Sequence, residues 1–157
     1  YGAGIYAGLQ SDLLLPIETF PVCSPRLLEG VHPLREAGDL RHQTLLHTEW
    51  LSSESNVTDW RMWLLAAGIR DIDWNRGPQF NDDGVAIQAA IEGQGVLLSG
   101  SPLVDADLAA GRLVRPFSLG LAERFGYHLV YPAAALKRPR VARFRDWIMG
   151  EVKGAKL

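Results

Sequence analysis

A chain of 157 residues with 47% hydrophobic and 22% charged residues is the size and composition of one ordinary globular domain, long enough to bury a core. Its formal net charge of −2 speaks against a nucleic-acid-binding module, which usually carries a basic face. No run approaches the roughly 20 apolar residues of a membrane span, and the single cysteine, Cys23, can form no internal disulfide, which suits a reducing compartment.

The chain opens on the Gly-rich, loop-like "YGAGIYAGLQ", without an initiator Met or a basic-apolar leader, and is expected to be a piece of a longer protein. "LLLPIETFPVCSP" (13–25) reads as extended, because Pro16 and Pro21 forbid a helix interior and Thr19, Phe20 and Val22 favour a strand. Ser24 and Pro25 form a cap with proline at the first helical position, in a turn closed by Gly30. "REAGDL" is a turn or short helix, and "QTLLHTEW" (43–50) a short strand; residues 52–59 are polar and loop-like. In "TDWRMWLLAAG" (58–68), Trp60, Trp63, Leu64 and Ala67 fall at i, i+3, i+4 and i+7, with Thr58 or Asp59 as cap and Gly68 past the end. A strand ends at Phe80, a helix covers 83–92 and a strand 95–99. Residues 101–117 read as a helix closed by Gly111 followed by an extended run. "FGYHLVYP" (125–132) is a strand, and 139–152 an amphipathic helix with Val141, Phe144, Trp147 and Ile148 on one stripe. Strands alternating with helices predict an α/β fold with mainly parallel pairing.

No catalytic set emerges from this order. Gly2-x-Gly4 with Gly8 misses the dinucleotide-loop spacing, and Gly93-x-Gly95 precedes a strand where a phosphate cradle would follow one; both read as turns. The histidines His32, His42, His47 and His128 show no metal spacing with one another or with Cys23, itself read as a buried, inert thiol. Ser99 and Ser101 do not form a Gly-x-Ser-x-Gly elbow. The late basic residues, Lys137 to Arg145, read as a solvated helix face. Trp60, Trp63 and Trp147 lie on helix stripes and read as core; Trp50 and Trp74 read as loop or strand-end residues, with a ligand-facing role as the minor alternative.

The segments "YGAGIYAGL", "FPVCSPRLL", "DLRHQTLLH", "DWRMWLLAAG", "GPQFNDDGVAIQAAIEGQGVLLS", "DLAAGRLVRPF" and "FRDWI", in this order over nearly all 157 residues, resemble the effector-binding (substrate-binding) domain of LysR-type transcriptional regulators. The likeness is to the subgroup typified by the glycine-cleavage and β-lactamase regulators. It implies a bilobal α/β sensor like the type 2 periplasmic binding proteins, here mostly the second lobe plus the end of the first. Residues 1–16 would be the tail of the first effector subdomain, 17–131 the second subdomain with the crossover strands (17–25 and 125–132), and 132–157 the return to the first. The resemblance further implies a small-molecule effector in the cleft between the lobes, and a homodimer or tetramer of the full-length protein in the cytoplasm. DNA would be contacted only through an N-terminal helix-turn-helix absent from this chain. No cofactor, no metal, no membrane and no enzymatic activity are expected.

In such folds ligands sit beyond the carboxyl ends of the strands, where helix N-termini converge. The edges so placed are Thr48, Glu49 and Trp50 after "LLH", Asn81, Asp82 and Asp83 at a helix mouth, and Ser99 and Ser101 after "GVLL"; Gly2, Gly4 and Tyr127 would lie near the hinge. Asn81 and the aspartates serve equally well as plain caps, and both roles can hold at once. Carboxylates at the mouth leave room for an amine or hydroxyl donor, so an amino acid or peptide-like effector is favoured, with an aromatic acid second. A type 2 solute-binding protein for transport is the alternative, to be separated by the sequence upstream. The fragment is expected to bind no duplex specifically, and to dimerise or aggregate through surface such as Phe144 and Trp147.

Overall fold

The computed structural model describes residues 1–48 and 57–154, the Lys153 side chain excepted. The chain divides into two compact units, one of Tyr1–Ile17 with Glu123–Leu157, the other of Glu18–Ala122. Two long strands, β1 (Gln10–Val22) and β5 (Leu121–Tyr131), each begin in one unit and end in the other.

In the unit Glu18–Ala122, the end of β1 joins β2 (Leu45–Thr48), β3 (Gln79–Phe80) and β4 (Val96–Gly100) in the order β3-β2-β4-β1. β2 runs parallel to both β3 and β4, whereas β1 pairs antiparallel with β4, Thr19 opposite Gly100 and Val22 opposite Leu97. The pairing is therefore mixed where helix–strand alternation predicts mainly parallel. That pattern cannot see that β1 lies directly against β4 and runs opposite to it.

Helices cover both faces of this sheet. Successive strand residues point to opposite faces, so Leu45 and Val96 face one apolar cluster while their neighbours Leu46 and Leu97 face another. The first cluster is filled by Trp60, Trp63 and Leu64 of α1 (Trp60–Ala66), with Cys23, Leu34, Leu40 and Ile72. The second is filled by Ala86, Ala89 and Ala90 of α2 (Asp83–Ile91), with Phe20, Val22, Val104 and Leu113. A strand buried on both sides reads as a continuous apolar run, which explains "TLLH" and "VLLS". Asp59 caps α1, its Oδ1 accepting from Met62 N at 2.7 Å, and Asp82 caps α2, its Oδ1 accepting from Val85 N at 2.9 Å. Of the predicted helix within 101–117, only α3 (Asp105–Ala109) forms, and the run after it pairs through a single bridge, Val114 with Cys23. Ser24 precedes a 3-10 turn, Pro25–Leu28, without a side-chain capping bond.

The other unit holds the start of β1, most of β5, a 3-10 turn (Ala133–Lys137) and α4 (Pro139–Gly154). Gly2 and Gly126 exchange both backbone hydrogen bonds at 3.0 Å. Arg145 of α4 fixes the helix to β1: its Nε and Nη2 donate to the two Asp12 oxygens at 2.7 and 3.1 Å, and the Tyr131 hydroxyl donates to the same carboxylate at 2.6 Å. This fork of donors, the Arg145 guanidinium foremost, holds the Asp12 carboxyl below the usual carboxylate range. Trp147, read from its stripe as core, is 57% exposed, and Phe144 beside it 51%. The amphipathic pattern is real, but this unit brings no layer onto that part of it.

Candidate functional site

Because β2, β3 and β4 are parallel, their carboxyl ends emerge on one edge of the sheet, at Thr48, Phe80 and Gly100. Thr48 pairs with Phe80, which sets Asn81 beside the end of β2, and α2 begins immediately after, at Asp83. The sequence-predicted residues Thr48, Asn81, Asp82, Asp83, Ser99 and Ser101 are all in this unit. Glu49 and Trp50 lie outside the described residues.

The two aspartates at the mouth of α2 have different tasks. Asp82 is occupied in capping Val85 N. Asp83 instead interacts with the Thr48 hydroxyl, which favours its charged form. Burial first, and then the charge of Asp82, push the Asp83 carboxyl above its usual pKa, while the Thr48 bond works against them. A carboxylate can accept more hydrogen bonds than one neutral neighbour supplies. Ser99 is buried within β4 opposite Phe20, so it supports the edge from behind. Ser101 is half-buried, its backbone N donating to Glu18 O at 3.2 Å.

Two features at this edge escaped the sequence reading. A small cavity of about 100 Å³ opens beside Thr48 and is shared by His47, Thr58, Asp59 and Trp60. Two of its lining residues are fixed by hydrogen bonds: Trp60 Nε1 donates to Leu46 O at 3.0 Å, and His47 Nε2 bonds Arg76 O at 3.0 Å. The other is a bracket below Ser101. Arg115 grips both Glu18 oxygens at 2.9 and 3.2 Å, donates to Phe117 O and Ser118 O, and lies 4.2 Å over the Phe20 ring. It fixes the residue whose carbonyl holds Ser101. Capping Asp59 was legible as a helix signal, but Glu18 and Arg115, 97 positions apart, carry no pattern.

Gly2, Gly4 and Tyr127 belong to the other unit. Gly2 is tied to Gly126, and the space a side chain would need at Gly4 (φ 74°) is filled by the His128 imidazole, which bonds Ser11 Oγ at 3.0 Å. Tyr127 packs edge-on against Tyr1, ring centres 5.7 Å apart. Among the described residues no three His, Cys, Asp or Glu side chains gather as a metal site, and no helix is long and apolar enough to cross a membrane. His32 and His42 stack on each other, ring centres 4.6 Å apart. Cys23 is fully buried, and burial pushes its thiol up to about 12. Trp74 is 39% exposed and is not among the residues lining the cavity beside Thr48.

Comparison with known proteins gives this geometry a family. The model for the LysR substrate binding domain matches residues 2–153. The chain belongs to that family. The glycine cleavage system transcriptional activator of Escherichia coli (strain K12) is 35% identical over 151 residues, 96% of this chain and 48% of that protein. The HTH-type transcriptional regulator TrpI of Pseudomonas aeruginosa is 32% identical over 149 residues, 94% of this chain and 48% of its own. This LysR chain thus spans about half the length of the curated relatives it matches. Among solved structures, the effector domain of AmpR from Pseudomonas aeruginosa superposes with a TM-score of 0.72 at 23% identity, over 97% of this chain and 69% of that one. The AmpR effector-binding domain from Citrobacter freundii gives 0.75 at 20%, over 98% and 72%. The fold is that of LysR effector-binding domains, the type 2 periplasmic-binding-protein-like class. The named relatives are transcriptional activators and regulators.

Proposed function

We propose that this chain is the effector-sensing part of a bacterial LysR-type transcriptional regulator, and that a small polar metabolite bound at the carboxyl edge of β2, β3 and β4 controls transcription. The family match over residues 2–153 carries this reading. In it, residues 1–16 and 132–157 belong to the first effector subdomain and 17–131 to the second. DNA contact comes from a helix-turn-helix outside this chain, in a cytoplasmic homodimer or tetramer. Thr48, Asn81, Asp83 and Ser101 hold the ligand and Asp82 and Ser99 support them; Glu49, Trp50, Gly2, Gly4 and Tyr127 stand as further candidates. The spare acceptor capacity of Asp83 supports an amino acid or peptide-like effector, its ammonium group toward that carboxylate; an aromatic acid is second.

The test is a metabolite panel read by thermal unfolding of the full-length gene product. A true effector at a hundredfold excess over its Kd stabilises the native state by about 2.7 kcal/mol. Asn81→Ala and Asp83→Ala should each weaken a confirmed effector at least several-fold. Unchanged affinity in both variants would reduce the mouth of α2 to a cap and move the site elsewhere. A full-length product that no metabolite stabilises, and whose operator binding none alters, would count against sensing itself.

A further inference from the structure

A second cavity, of about 430 Å³, opens in the unit Glu18–Ala122 between the end of α1 and the segment 116–119. It shares no lining residue with the cavity beside Thr48: Thr58, Asp59 and Trp60 at the start of α1 line that one, Trp63 and Ala67 this one. Its walls are fixed in advance. Trp63 is fully buried, and its Nε1 donates to Leu119 O at 3.3 Å. Arg115 donates to Phe117 O at 3.1 Å and to Ser118 O at 2.7 Å, so three successive carbonyls of the segment are engaged. The Phe117 ring packs on the Trp63 indole, ring centres 5.6 Å apart. Across the opening stands Arg35, exposed at its side chain but anchored by its backbone N, which donates to Asp39 Oδ2 at 2.9 Å. Among the described residues the Arg35 guanidinium has no hydrogen bond and no ion pair. Asp39 feels its charge, but that carboxylate is engaged by the backbone N–H groups of Arg35 and Glu36.

We infer that this cavity is a ligand site separate from the edge of β2, β3 and β4, and that it takes a small carboxylic acid with an aromatic body. Its volume lies in the range of roughly 300–1,000 Å³ usual for small-molecule pockets. The Phe117 ring, Pro116 and the Ala67 methyl offer apolar surface to a flat ring. An unpaired guanidinium at the rim matches a carboxylate in a two-pronged geometry. No Asp or Glu lines the cavity, so nothing there compensates a cation beside Arg35. The two sites therefore select opposite charge, because Asp82 and Asp83 at the mouth of α2 disfavour the anion that Arg35 attracts.

Ligand-observed NMR on the full-length gene product tests this, with phenylacetate as probe and phenethylamine as a cation carrying the same ring. Phenylacetate should bind at millimolar concentration, and phenethylamine at least tenfold more weakly. Arg35→Gln removes the charge from a side chain without a partner, so the melting temperature should hold while phenylacetate affinity falls at least tenfold. Ala67→Leu fills the cavity from the exposed end of α1 and should cost a similar factor; should that variant not fold, Arg35→Gln decides alone. Absent phenylacetate binding, equal binding of acid and amine, or unchanged affinity in Arg35→Gln would each overturn the inference. None of these readouts involves the mouth of α2, so the effector reading above stands or falls separately.

Discussion

Gly77→Ala is the single-atom change with the largest worked consequence for the candidate edge. Gly77 stands two residues before β3, with φ at 112°, and a Cβ built there would collide with the Leu45 carbonyl oxygen. Neither group can yield cheaply. Leu45 is fully buried and paired with Val96, while His47 N donates to Pro78 O at 3.1 Å just past the glycine. A non-glycine residue in a positive-φ conformation costs roughly 1–2 kcal/mol, and forcing extra volume into a packed site costs typically about 1–3 more. The sum is on the order of 2–5 kcal/mol, a large share of the stability of a domain. Gly68→Ala is the control: its φ is 78°, but nothing lies within 4 Å of the added carbon, so only the conformational part is lost. Urea unfolding followed by tryptophan fluorescence, with linear extrapolation, gives both losses. Gly77→Ala should lose at least about 1 kcal/mol more than Gly68→Ala. Equal losses would mean that β3 shifts freely beside β2, and the placement of Asn81 next to Thr48 would fall with it.

Asp83→Asn should raise stability at neutral pH. The folded-state pKa of Asp83 lies above its usual value, so the charged form is a cost that is present at high pH and vanishes as pH falls below the ordinary carboxylate value near 3.8. Melting curves of variant and wild type should therefore converge in acid, and a variant less stable than wild type at pH 7 would show that the Thr48 bond outweighs burial. The Cys23 thiol, pushed up to about 12 by burial, should resist a disulfide reagent at pH 8 in the native state and react fully in denaturant. Rapid native reaction would mean that the cluster under α1 opens readily.

The elements of the unit Glu18–Ala122 were largely legible because they obey local rules. Asp59 and Asp82 cap where small acidic residues before an apolar period should, and "LLH" and "VLLS" are strands between glycine and polar breaks. What stayed hidden depends on partners distant in sequence. The direction of β1 is set by its pairing with β4, some 80 positions later in the chain. The role of Asp83 is set by Thr48, 35 positions earlier, and that of Ser101 by Glu18 and Arg115. Two adjacent aspartates look alike in a sequence; only the structure separates the one that caps from the one that stands partly desolvated against a hydroxyl. The reading of Trp147 as core failed for a related reason. Helical periodicity reveals that a face is apolar, and says nothing of whether the layer it needs is present.

The distribution of buried apolar residues has a further consequence for how the two units respond to change. Among the described residues, all but one of the buried hydrophobic residues lie in Glu18–Ala122, in two clusters on opposite faces of one sheet. The other unit is held instead by directional polar contacts, chiefly Asp12 with Tyr131 and Arg145, and by the Gly2–Gly126 bridge. Apolar burial is the term that makes a unit fold by itself, whereas hydrogen bonds and ion pairs contribute little net stability but fix geometry. The first unit can thus carry a rigid ligand edge on its own core. The second is specified by directional polar contacts more than by apolar burial.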